Sequence, residues 1–96
     1  MLTEWHAKYH TKFLKDLKKL DGSLLKIFKA KRAKILENPL RFKHLSGGEN
    51  CYREEITSNI RIIYYVEGAS VWFLLLERHD AAYEDFRKRL HDLTNK

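Results

Sequence analysis

Between Asn50 and Tyr83 the chain reads NCYREEITSNIRIIYYVEGASVWFLLLERHDAAY, in which runs of Ile, Tyr, Val, Trp and Phe are split by two turn signals, Ser58-Asn59 and Glu67-Gly68-Ala69. These residue types suit a pleated, half-buried surface, so the stretch predicts three strands and the start of a helix. Alternation assigns the faces. On the first strand Tyr52, Glu54 and Ile56 share one side and Cys51, Arg53 and Glu55 the other; on the second, Arg61, Ile63 and Tyr65 oppose Ile62, Tyr64 and Val66. The last strand, Val71 to Glu77, is nearly all apolar and reads as central and buried. Asp80 offers a cap for a final helix with Tyr83, Phe86 and Leu90 on one side. Arg87, Lys88 and Arg89 fall near its predicted end, where cations complement the helix dipole.

Upstream the period changes. From Leu2 to Tyr9, residues Trp5, Ala7 and Tyr9 alternate with Glu4, His6 and Lys8, which predicts a terminal strand that must pair with the later sheet. Thr11 then offers an N-cap for a helix carrying Phe13, Leu14, Leu17 and Leu20, and Asp21-Gly22 breaks it. Ser23 offers the next cap, before Leu24, Ile27, Phe28, Ile35 and Leu36; Asn38-Pro39 ends that helix. The two form a helical hairpin. The connection from Leu40 to Glu49 holds Gly47-Gly48 and the basic piece Arg41-Phe42-Lys43-His44. Hairpin-linked strands run antiparallel, so residues 1–96 form one α+β domain: strand, helical hairpin, three-strand meander, helix. The helices are expected on one face, leaving Arg53, Arg61 and Arg78 on the other. Glu54 then falls on the covered side and requires a partner such as a nearby lysine, unless that strand is exposed.

Composition narrows the class. A formal charge of +6 and a pI near 9.5 favour a polyanionic partner or an acidic protein that masks the basic surface. Lys12, Lys15, Lys18, Lys19, Lys26, Lys29, Lys31, Arg32 and Lys34 crowd the hairpin, either as a solvated face or as a phosphate-contacting flank. The single cysteine, Cys51, suits a buried hydrophobe in a reducing cytoplasm. The segment MLTEWHAKYH lacks a signal-peptide core, and the run Val71 to Leu76 is too short to span a bilayer, so a cytoplasmic location is expected. His6, His10, His44 and His91 give no metal-ligand spacing. Tyr64, Tyr65, Trp72 and Phe73 offer either a base-stacking platform or core, with core favoured for Tyr64 and Trp72.

KDLKKLDGSLLKIFKAKRAKILENPLRFKHLSGGENCYREEITSNIRIIYYV, followed by RHDAAY, resembles the RelE/ParE superfamily of toxins from type II toxin–antitoxin systems. The specific parts are the hairpin ending Glu37-Asn38-Pro39, the Leu45 to Tyr52 connection and the strand Arg61-Ile62-Ile63-Tyr64. The resemblance implies a RelE-like fold, a cognate antitoxin as partner, and cleavage of messenger RNA on the ribosome without metal or other cofactor. It assigns catalytic roles to Arg53, Arg61, Arg78 and Tyr83; Lys43 and His44 of the basic piece join the three arginines as candidate RNA contacts. His79 and Glu55 are candidate acid/base groups. Glu55 stands where active members often carry a second basic residue, and Ser46 where an arginine is common. Those two departures keep alternatives open: a ParE-like toxin acting on a topoisomerase, or an inactive antitoxin-binding module.

Overall fold

The computed structural model describes residues 4–45, 49–78 and 83–94; the side chains of 78 and 83–85 are not among them. Five strands form one mixed sheet: β1 (His6–Tyr9), β2 (Lys43–His44), β3 (Cys51–Glu55), β4 (Ile60–Glu67) and β5 (Ser70–Arg78), in the order β1-β5-β4-β3-β2. The meander β3-β4-β5 is antiparallel as its hairpin links predicted, and β1 adds to β5 in parallel. The terminal strand does pair with the later sheet. The centre, however, is β4, and β5 lies second from the edge. Gly68, with φ +59°, takes the β4–β5 turn in a conformation that a Cβ disfavours.

Two helices, α1 (Thr11–Lys18) and α2 (Gly22–Glu37), cover one face. There Phe13, Phe28 and Ile35 pack on Tyr52, Ile62, Tyr64, Val71 and Phe73, all 4% exposed or less. Tyr64 donates its hydroxyl to the Pro39 carbonyl at 2.6 Å, and burial pushes its phenol far above the usual range. It is core, as expected. The third helix, α3 (Tyr83–Thr94), corrects the one-sided arrangement. Phe86, with Leu90 and Leu93, packs against Leu45, Cys51, Ile63, Leu74 and Leu75 on the opposite face. A lone helix carries no sequence mark of which side of a sheet it will take, and both faces offered apolar positions.

The helix starts also differ from expectation. His10, not Thr11, caps α1, its Nδ1 accepting from Lys12 N; Asp21, not Ser23, caps α2, its carboxylate accepting from Leu24 N at 2.9 Å. Each alternative cap lies one or two residues inside the helix that forms. Asn38 ends α2 as expected and caps the single turn Pro39–Arg41.

β5 outruns β1, which pairs only from Ser70 to Phe73. Beyond that point the edge of β5 has no strand beside it, and its polar groups must be met otherwise. Asp16 Oδ2 accepts from Leu76 N at 3.2 Å and from Arg89 Nη1 at 2.6 Å, while Arg89 Nη1 also donates to Leu74 O at 2.8 Å. His10 N donates to Phe73 O, and its Nε2 meets Asp92 Oδ2 at 2.9 Å. With Nδ1 accepting, that ring proton is assigned to Nε2. Side chains of α1 and α3 thus finish the ladder that β1 began. Arg89 is 7% exposed and sits mid-helix, so it serves this lock and not the helix end predicted for it.

Candidate functional site

At the opposite edge, β3 has the same problem. The Cys51 carbonyl accepts from Leu45 N, so residues 51, 53 and 55 turn their backbone groups outward toward β2. β2 pairs only Lys43 with Arg53 and His44 with Tyr52, leaving Glu55 without a neighbouring strand. Glu54 folds back to fill the gap: its Oε1 accepts from the Glu55 N–H at 3.0 Å, and its Oε2 meets Lys31 Nζ of α2 at 3.4 Å. The partner required for Glu54 on the helix-covered side is therefore Lys31. Their side chains are 25% and 32% exposed, so the pair stays in reach of solvent.

A cleft of about 480 Å³ opens over this edge, lined by Lys31, Arg41, Phe42, Lys43, Arg53, Glu54, Glu55 and Arg61. It straddles the strand. Arg53, Glu55 and Arg61 alternate onto the face that α3 partly covers, whereas Glu54 and Lys31 belong to the hairpin side. Five cations meet two carboxylates here. Lys43 and Arg53 stand directly opposite each other in the ladder, a like-charge pairing that costs stability unless an anion or solvent separates them. Among the described residues neither is within ion-pair distance of an acid.

Arg61 differs. Its Nε meets Glu77 Oε1 at 2.9 Å, with the two side chains 14% and 3% exposed. A β-bulge makes that pairing. Ile63 faces Leu75 and Tyr64 faces Phe73, so Leu74 is an extra residue, and the register beyond it sets Glu77 opposite Arg61 and Arg78 opposite Ile60. Sequence reasoning missed Glu77, although a carboxylate closing an apolar strand was a signal that some cation must reach it. It also left Lys31 among the hairpin cations and gave Arg41 no role. Glu55 is exposed, and Arg61's observed partner is Glu77 rather than Glu55.

The structure thus brings Lys43, Arg53, Arg61 and Glu55 to one cleft. His44 is not among its lining residues; its ring packs on Tyr52 at 4.5 Å. Residues 79 and 80 and the side chains of Arg78 and Tyr83 lie outside the described residues, so His79, Arg78 and Tyr83 enter no geometry here. Cys51 is fully buried, and desolvation pushes its thiol up to about 11, which leaves it inert as a nucleophile. Trp72 is half-buried at the margin of the α3-side core, with Lys8 Nζ 5.4 Å from its ring centre. Among the described residues no three His, Cys, Asp or Glu side chains gather as a metal site, and no helix is long and apolar enough to cross a membrane.

A mixed five-stranded sheet, a helical hairpin on one face and a single helix on the other define a small α+β domain. More particularly, the fold is RelE-like. The chain matches the E. coli toxin RelE, a doubly substituted form in the free state, with a TM-score of 0.77 and 21% identity over 94% of this chain and 98% of that one. It matches the intact E. coli RelBE toxin–antitoxin complex with a TM-score of 0.73 and 23% identity, covering 80% of this chain and 99% of that one. No family model matches. In sequence, 82 residues are 32% identical to ARS-binding factor 1 of Saccharomyces cerevisiae; they cover 85% of this chain but only 11% of that protein.

Proposed function

We propose that this chain is the toxin of a type II toxin–antitoxin pair and that its β3-edge cleft binds and cleaves messenger RNA without a metal. The observation that carries the reading is the cleft itself: Lys43 and Arg53, opposed and without acidic partners among the described residues, on a RelE-like fold. In such a cleavage the ribose 2′-hydroxyl gives up its proton and attacks the adjacent phosphorus. The bond to the 5′-oxygen breaks, and that oxygen takes a proton. Charge builds on the non-bridging oxygens of the pentavalent phosphorane. Guanidinium and ammonium groups already in place stabilise that charge without reorganising. Arg53 and Lys43 serve this role here, with Arg61 held beside them by Glu77. The family resemblance implies Tyr83 as a proton-handling group, and His79 is a further candidate from its side-chain chemistry. The neighbours found in complex with antitoxin supply the expectation of an antitoxin partner for this chain in the cytoplasm.

The Arg61–Glu77 pair favours a second reading, an antitoxin-binding module without catalysis, because it cancels one of the cleft's cations. Inducible expression with mapping of RNA ends separates the two. The nuclease reading expects growth arrest and new cuts in translated messages, both lost in Arg53→Ala. Arg53 is the cleaner probe, since truncating Arg61 would strand the buried Glu77. Arrest with intact RNA, or no arrest at all, overturns the nuclease reading.

A further inference from the structure

We propose that Lys31 Nζ and the Glu55 backbone N–H form a phosphate subsite at the β3 edge, which the Glu54 carboxylate fills in the free protein as an internal anion. The inference rests on the reading above that the cleft takes nucleic acid, and it adds to that reading a second anchoring point and a carboxylate that holds it closed.

Three observations converge. First, the two donors already point at one anion: Glu54 Oε1 accepts from Glu55 N–H at 3.0 Å and Oε2 from Lys31 Nζ at 3.4 Å. A carboxylate and a phosphate present paired oxygens in similar geometry, so what holds one suits the other. Second, this cover is weak. The ion pair is long and its members are 32% and 25% exposed, a class of contact that solvent and salt easily displace. Glu77, the acid beneath Arg61, is by contrast 3% exposed and bound to Arg61 at 2.9 Å, so it stays where it is. Third, the subsite lies across the strand edge from Arg53 within the same cleft. A single strand crossing β3 would set one phosphate against Arg53 and Lys43, and the next against Lys31 and the Glu55 N–H. Glu54 swings away, and the incoming phosphate takes over both donors.

Lys31 is then a substrate-binding residue contributed by α2, and Glu54 a competitor that sets affinity. The probe is a six-residue single-stranded oligodeoxynucleotide, which lacks the 2′-hydroxyl and is not cleaved, read by fluorescence anisotropy on the full chain. Glu54→Gln keeps an oxygen for the Glu55 N–H and removes the charge; it is expected to bind about two- to fivefold tighter. Lys31→Gln is expected to bind weaker by a similar factor, with the slope of log affinity against log salt reduced by about 0.7. In the double variant the gain from Glu54→Gln disappears, because the donor it frees is gone. Thermal melts of the three variants check that each folds.

If Glu54→Gln binds no tighter, the subsite is overturned; if it tightens binding equally in the Lys31→Gln background, the subsite is overturned as well and Glu54 acts only through long-range charge. If polyglutamate shows the same dependence on Lys31 and Glu54, the phosphate assignment is overturned in favour of a carboxylate receptor. The nuclease reading fails separately. The predicted binding pattern with no RNA cuts in cells supports the subsite and leaves the cleavage reading overturned alone. RNA cuts with variants that bind like the parent chain do the reverse.

Discussion

The two open edges of the sheet meet one requirement in two ways. At β5 and at β3 a strand runs past its neighbour and leaves backbone groups that must be met. At β5 the covering groups are Asp16 and Arg89, 12% and 9% exposed, joined to each other at 2.6 Å. At β3 they are Glu54 and Lys31, 25% and 32% exposed and 3.4 Å apart. The first arrangement excludes water and ties α1 to α3. The second leaves its donors in contact with solvent and on the wall of a cleft. A buried charge–backbone network supports structure, whereas an exposed one can be exchanged for a ligand; the difference in burial separates scaffold from site.

Breaking the β5 lock should have the largest effect. Asp16→Ala leaves Arg89 buried without its carboxylate and Leu76 N without an acceptor, so a loss of about 3–5 kcal/mol in urea unfolding is expected. A loss under 1 kcal/mol would erase the contrast between the edges. His10→Ala comes next. It removes the α1 cap and the Asp92 contact, with an expected cost of about 1–2 kcal/mol, while His10→Asn should recover the cap portion. At the β3 edge, Lys31→Gln should change stability by no more than about 1 kcal/mol, since the pair it breaks is long and partly exposed.

Asp21 belongs to neither edge and gives a solvent-exposed reference. Its carboxyl lies below the usual value of 3.8, chiefly because it accepts from Leu24 N and then from the Ser23 hydroxyl. A depressed folded-state pKa means that the contribution is present above the unfolded value and is lost as pH falls through the folded one. Asp21→Asn keeps the cap but cannot ionise, so it should flatten the acid limb, at about pH 4, of a stability–pH curve and lose a small part of the stability at neutral pH, where the charged contribution is present. An unchanged acid limb with unchanged stability at neutral pH would contradict that account. The smallest effect concerns Cys51, which should resist iodoacetamide at pH 8 in the folded chain and react once the chain is unfolded in urea.

The strand faces were legible because period two leaves few choices: Arg53, Glu55 and Arg61 fall where alternation put them. The end of α2 was legible, since Asn38-Pro39 admits no continuation, whereas its cap, Asp21, lies two residues before the expected Ser23. What the sequence concealed was long-range. Arg89 sits in a run of three cations that look alike, and only the fold chooses the one that turns inward to Asp16 and Leu74. Asp16, 73 positions away in sequence, reads locally as one more helix-surface acid. Lys31 is one lysine among many until the β3 edge comes to rest beside it. The cleft's membership was half visible: its strand residues followed from pattern, whereas its helix residue and the acid beneath Arg61 needed the tertiary structure.

The bulge at Leu74 acts on the ladder as a frameshift acts on a message. Numbered without it, Leu76 would stand opposite Arg61 and Glu77 opposite Ile60; with it, the acid moves into frame with the arginine. The electrostatic state of the cleft is therefore encoded by an uncharged residue more than one strand position away. Deleting one apolar residue before Leu74, if the ladder straightened to absorb the loss, would keep Glu77 in frame. Straightening the ladder at full length would instead set a leucine beside Arg61 and return its charge to the cleft, with every charged residue of the chain unchanged.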